Sequence, residues 1–166
     1  MQELDADGKT VAGYEANGGF LLETDITLDG KVLKALPTRD ALLPQLAILV
    51  RARKELTGVE DLFKSLPKRF TASDRIKEFP TEKSLAKVAE IQQKKLGEKY
   101  FGKLVGKLVA EDSTDGYRMT FDQGDIVHLR PSGNAPELRC YIECDSAARA
   151  EELKGKVLAI MQSWKV

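Results

Sequence analysis

Residues 126 to 142 read Ile-Val-His-Leu-Arg-Pro-Ser-Gly-Asn-Ala-Pro-Glu-Leu-Arg-Cys-Tyr-Ile, and this stretch decides the fold. Ile126, Val127 and Leu129 predict one strand, and Leu138, Cys140 and Ile142 at every second position predict another. Between them lie a permanent cation, a hydroxyl, a glycine and an amide, with Pro131 and Pro136 restricting the tip. That set suits a dianionic oxygen cluster. Arg130 can offer two parallel N–H donors to phosphate. Ser132 and Asn134 add short donors, and Gly133 lets the backbone approach a ligand and turn its own N–H inward. The competing reading is a strand connection whose Gly, Asn and Pro are turn formers only.

Working outward, a strand is expected at about 68–73, then a helix opened by Pro80-Thr81 with Leu85, Val88, Ile91 and Leu96 inward. Strands are expected near 104–110, 116–121, 125–130 and 137–143, the middle pair joined by Asp122-Gln123-Gly124. A last helix starts at Asp145 or Ser146 and buries Ala150, Leu153, Val157, Ile160 or Met161, and Trp164. Strand, helix, strands, helix indicates an α+β fold, an antiparallel sheet with helices on one face.

The first part of the chain reads differently. Strands are expected around 10–14 and 19–24, with a turn at Asp29-Gly30. Thr38 is a candidate N-cap for a helix carrying Leu42, Leu43, Leu46, Leu49 and Val50, with Pro44 in its first turn. Gly58 would stop that helix, and Val59 to Leu66 would form a short second one closed by Pro67. The domain boundary is placed near 66–67, giving residues 1–66 and 67–166. Residues 13 to 20, Gly-Tyr-Glu-Ala-Asn-Gly-Gly-Phe, form a polar tip between apolar runs. Glu15 and Asn17, two apart, would project the same way and could clamp neighbouring sugar hydroxyls, although Asn-Gly-Gly is first of all a hairpin turn.

These two segments carry a family resemblance. Arg130, Ser132, Gly133 and Pro136 match the Arg-Pro-Ser-Gly-Thr-Glu-Pro form of the phosphate-binding loop of the α-D-phosphohexomutases, with Asn134 for threonine and Ala135 for glutamate. The 13–20 segment resembles that family's sugar-binding loop, commonly Gly-Glu-x-Ser-Gly-His. Glu15 stands at its glutamate, Asn17 at its serine, and Gly19 where many members have histidine. Lys68 to Thr71 and Asp115-Gly116 with Tyr117, Met119 and Phe121 extend the resemblance over nearly the whole chain, which is most like the bacterial phosphomannomutase/phosphoglucomutase type.

The resemblance implies substrate recognition in an enzyme interconverting hexose 6-phosphate and hexose 1-phosphate through a phosphoserine and a bisphosphorylated intermediate, with mannose, and glucose as an alternative, the hexose. Arg130, Ser132, Gly133 and Asn134 would hold phosphate, and Glu15 and Asn17 the sugar. The family's Thr-x-Ser-His-Asn-Pro serine loop and Asp-x-Asp-x-Asp-Arg metal run do not occur in this sequence; Asp5-Ala6-Asp7 comes nearest, with Lys9 at the third position. The resemblance therefore implies the C-terminal part of a larger enzyme: residues 1–66 from its third, α/β domain and 67–166 its phosphate-binding last domain. Catalytic residues and the Mg²⁺ site would lie in N-terminal domains of the same enzyme. The chain alone is expected to be inactive. The alternative is a non-catalytic sugar-phosphate-binding module.

Composition narrows the classes further. Lys and Arg total 26 against 26 Asp and Glu, which argues against a dedicated nucleic-acid or membrane-surface binder. No apolar run approaches the roughly 20 residues of a membrane span. Lys94, Lys95, Lys99, Lys103 and Lys107 are interrupted by Glu98 and have few aromatic neighbours, so a solvated helix face is the simpler reading. His128 alternates with Ile126 and Arg130 and could face phosphate; a structural or surface role is the simpler one. Cys140 and Cys144, four strand residues and so about 13 Å apart, are too distant for a disulfide and read as buried fillers, which fits a cytoplasmic location.

Overall fold

The computed structural model describes residues 10–14, 19–36 and 38–165. They form two compact units, Met1–Leu66 and Pro67–Val166.

In the first unit, β1 (Ala12–Tyr14) pairs antiparallel with β2 (Phe20–Leu22), and β3 (Ile26–Leu28) with β4 (Lys31–Leu33). The β3–β4 turn places Asp29 at φ 50° and Gly30 at φ 72°. Two consecutive left-handed residues match the twist of a two-residue hairpin, and Asp-Gly is the pair that tolerates them. The expected cap of α1 (Leu42–Lys54) moves from Thr38 to Asp40, whose carboxylate accepts the Leu42 and Leu43 N–H groups at 2.8 and 3.2 Å. Gly58 does not end this helix. The chain leaves α1 through Leu56 at φ 51°, and Gly58 is the N-cap of α2 (Val59–Lys64). Leu42, Leu46, Leu49 and Val50, the apolar stripe of α1, are exposed in this unit.

The second unit is built on one sheet of order β5-β9-β8-β7-β6, every neighbour antiparallel. Its strands are β5 (Phe70–Lys77), β6 (Leu108–Asp112), β7 (Tyr117–Phe121), β8 (Ile126–Pro131) and β9 (Glu137–Cys144). On β9, Leu138, Cys140, Ile142 and Cys144 are buried, while Glu137, Arg139, Tyr141 and Glu143 alternate with them on the other side. Helices cover the buried face: α3 (Thr81–Gln93) packs on β8 and β9, α4 (Gly97–Val105) on β6, and α5 (Ala147–Gln162) on β5 and β9. Leu153, Val157 and Met161 of α5 join Ile91, Phe101, Met119, Leu129 and Ile142 in a single core. The thiols of Cys140 and Cys144 are unpaired and pushed up to about 12, because burial disfavours the thiolate.

The expected strand at 104–110 is a correction. Residues 97–105 are helical, and β6 begins only at Leu108. Phe101 and Val105, four apart, fill the core as one helical stripe. In the sequence Leu104-Val105 runs on visually into Leu108-Val109, and Gly106 is where the two elements part. Leu85 is a second correction. The buried stripe of α3 is Ser84, Val88 and Ile91; Leu85, about 100° around the helix from Ser84, is 54% exposed. The α5 cap is Ser146, whose Oγ accepts the Arg149 N–H, and Met161 rather than Ile160 takes the core position.

Leu153→Ala should therefore destabilise the second unit by about 2–5 kcal/mol, whereas Leu85→Ala should change it by less than about 0.5 kcal/mol. Urea unfolding of the two variants against wild type measures both, and comparable losses would contradict the packing.

Candidate functional site

Residues 132–136 connect β8 to β9, the two central strands on the Arg130 side, and the connection is pinned at three points. The Ser132 N–H donates to the Glu137 carbonyl at 2.9 Å, the Glu137 N–H to Ala135 at 2.7 Å, and the Phe79 N–H to Pro136 at 2.8 Å. Phe79 is itself buried, so the last bond ties the loop to the core. A loop fixed in this way loses little entropy when it takes up a ligand.

Ser132 as a residue is only 5% exposed, and its hydroxyl makes no hydrogen bond to a described residue, while its Oγ is not among the side-chain atoms sealed from solvent without a partner. Gly133 and Asn134 stand exposed at the tip. A Cβ built on Gly133 would meet nothing within 4 Å, so packing inside the chain does not demand glycine there. The tip thus offers an unpaired hydroxyl, an open backbone and an amide within three residues.

Arg130 projects from the last turn of β8 on the open face of the sheet, because Leu129 and Val127 take the core side. Its Nε donates to the Asp115 carboxylate, at 2.9 Å to Oδ1 and 2.8 Å to Oδ2. This bond raises the guanidinium above its already high range, and the Tyr141 hydroxyl adds to the effect. Directly across the ladder from Arg130 stands Arg139, and across from Arg139 stands Arg75. Three arginines therefore share one row of the open face. Glu137 serves Arg75 and the central Arg139, 3.2 Å from Arg75 Nε and 3.7 Å from Arg139 Nε. The Arg139 Nε is buried without a hydrogen-bond partner. An anion entering at the loop would meet Arg130 and Arg139 side by side.

Of the residues named from sequence, Arg130, Ser132, Gly133 and Asn134 come together at this end of the sheet. Glu15 and Asn17 lie outside the described residues. His128 does not reach the loop; its Nε2 donates to the Asp115 carbonyl at 2.6 Å and its ring lies 5.5 Å from that of Tyr141. Arg139 escaped the sequence reading although a signal was present: alternation with Leu138 and Cys140 already puts it on the face of Arg130. Asp115 gave no such signal, since its partner lies fifteen residues away and only the β7–β8 pairing brings the two together. Among the described residues, no group of three or more His, Cys, Asp or Glu is placed to hold a metal ion. None of their helices is long and apolar enough to cross a membrane.

Comparison with known proteins adds the family context. Residues 59–160 match the family model described as "Phosphoglucomutase/phosphomannomutase, C-terminal domain". The chain is 42% identical over 163 residues to the protein named Phosphomannomutase from Salmonella muenchen, covering 97% of this chain and 34% of that protein. It is likewise 42% identical over 167 residues to Phosphomannomutase from Sinorhizobium fredii (strain NBRC 101917 / NGR234), covering 98% of this chain and 35% of that one. The chain spans about a third of the length of these curated relatives.

Ser132→Ala should leave stability within about 0.5 kcal/mol of wild type, since removing a hydroxyl that lacks a partner is close to neutral. A thermal melt checks this, and a loss well above that figure would mean the hydroxyl is structural.

Proposed function

This chain belongs to the phosphoglucomutase/phosphomannomutase family, and on that premise we propose that it supplies the substrate-recognition portion of a phosphohexomutase. The parent enzyme interconverts hexose 6-phosphate and hexose 1-phosphate, with mannose as the first substrate and glucose as the second. The transfer runs through a phosphoserine and a bisphosphorylated intermediate. The observation that carries the reading is the loop after Arg130, pinned by three backbone hydrogen bonds, which follows a fixed cation on the open face of the sheet with a second arginine, Arg139, directly across the ladder.

In this reading Arg130, Ser132, Gly133 and Asn134 hold the phosphate that is not being transferred. Arg139, next to Arg130 on the open face, adds a second positive charge to the same end of the sheet. Glu15 and Asn17 grip sugar hydroxyls. The intermediate must turn end for end between the half-reactions, so the site has to accept either end of the sugar. A guanidinium, a hydroxyl and backbone N–H groups recognise the phosphate itself and suit both orientations. Catalysis of phosphoryl transfer rests largely on positioning and electrostatic stabilisation of this kind.

Mg²⁺ in the full-length enzyme would neutralise charge on the transferring phosphoryl group, and the proposal places its ligands and the serine in N-terminal domains of the same protein. No step assigned to this chain runs through the metal. The remaining domains and the hexose phosphate are its partners, in the cytoplasm.

Arg130→Ala should weaken binding of mannose 6-phosphate by about 1.5–3 kcal/mol, the range for hydrogen bonds to charged groups, with little change in melting temperature. Glu15→Ala in the full-length enzyme should weaken hexose-phosphate binding while sparing inorganic phosphate, because a carboxylate repels phosphate and serves only hydroxyls. Ligand titration followed by ³¹P line width reads both; equal losses of the two ligands for Glu15→Ala would make that residue structural. Pure protein of this sequence should show no conversion of mannose 1-phosphate to mannose 6-phosphate in a coupled assay with Mg²⁺ and a bisphosphate activator. Sustained turnover would overturn the division of labour proposed here.

A further inference from the structure

We propose that Asp115 is the positioning residue of the phosphate-binding arginine, and that Gly116 is what allows it to reach. The inference rests on the reading that Arg130 holds phosphate. Residues 113–116 form the turn between β6 and β7, and β7 pairs with β8 so that Tyr117 lies opposite Leu129. The turn therefore folds against the end of β8. Gly116 sits at φ 83°, and a Cβ there would lie 2.4 Å from the Leu129 carbonyl oxygen and 3.1 Å from the Arg130 Cα. Those are backbone atoms of a central strand and cannot swing aside, so a side chain at this position would push the turn off the strand.

Asp115 is tethered twice. Its carbonyl accepts from His128 Nε2 at 2.6 Å, and its carboxylate takes the Arg130 Nε at 2.8–2.9 Å. His128 and Arg130 are successive outward positions on β8, so one turn residue fixes both. Asp112 Oδ1 accepts the Thr114 N–H at 2.7 Å and holds the turn's shape from the other end.

The carboxylate does something other than stabilise the fold. Its side chain is 62% exposed, and exposed ion pairs contribute little to stability. Beside an anion site a carboxylate also repels the ligand. Its compensation is orientation. Engaging Nε leaves the Nη1–Nη2 edge of the guanidinium as the fork that matches two phosphate oxygens, and it removes rotamer freedom that the ligand would otherwise have to freeze.

Charge and orientation predict opposite signs, so paired variants separate them. Asp115→Asn keeps an oxygen for Nε and deletes the charge; Asp115→Ala deletes both. With inorganic phosphate and mannose 6-phosphate as probes, Asp115→Asn should bind within about two-fold of wild type, and Asp115→Ala about five-fold weaker, inside the range of coupling expected for residues in contact. In the Arg130→Ala background Asp115→Ala should cost nothing further. The Arg130 Nε–H resonance of the ¹⁵N-labelled chain, read without ligand, should be protected in wild type and Asp115→Asn and lost in Asp115→Ala. If that resonance is lost while phosphate binding stays unchanged or tightens, the positioning role is wrong and the phosphate reading survives. If Arg130→Ala itself leaves binding unchanged, the phosphate reading fails and takes this inference with it.

Discussion

Alternation along β8 and β9 is the constraint on which the second unit depends. Val127 and Leu129 on one strand and Leu138, Cys140 and Ile142 on the other must all face the helices for the core to close. Because the period of a strand is two, that requirement sends His128, Arg130, Arg139 and Tyr141 to the opposite face. Packing thus decides which side chains the open face presents. A slip of one residue in either strand would bury an arginine and expose a leucine, a register error the core does not tolerate.

The loop inherits its position from the same pairing. Pro131 opposite Leu138 closes the ladder, and the Ser132–Glu137 and Phe79–Pro136 bonds then leave the tip little freedom. At the far end of the strands, Asp125 is buried and accepts two donors from Arg149, which also donates to the Leu104 carbonyl and lies 3.8 Å from Glu152. That pair ties the start of α5 to the β7–β8 turn and to α4. It lies away from the loop, and the Asp125 carboxylate already has its partner in Arg149.

What the sequence made legible was whatever is local and periodic. The strands around 116–121, 125–130 and 137–143, the Asp29-Gly30 turn and the Ser146 helix start are each written within a few residues, and all appear close to where they were expected. Helix α4 was hidden because its stripe borders a second apolar pair across Gly106, and short apolar runs suit either period. Asp40 and Thr38 are both good caps two residues apart, and only the path of the chain chooses between them. The arginine row and the Asp115 tether are products of pairing at long sequence separation, which composition does not encode. For the sugar clamp at Glu15 and Asn17 the structure adds no geometry, and it stands on the resemblance.

The central claim is that phosphate, and not sugar, is what this end of the sheet recognises. Amide and arginine side-chain shifts of the ¹⁵N-labelled chain, followed during parallel titrations with mannose 6-phosphate and with mannose, test it most directly. The account predicts saturable shifts at Ser132, Gly133 and Asn134 and at the Arg130 and Arg139 guanidinium groups with the phosphate ester, and none there with the free sugar. Equal responses to both ligands, or shifts that leave these residues untouched, would contradict it.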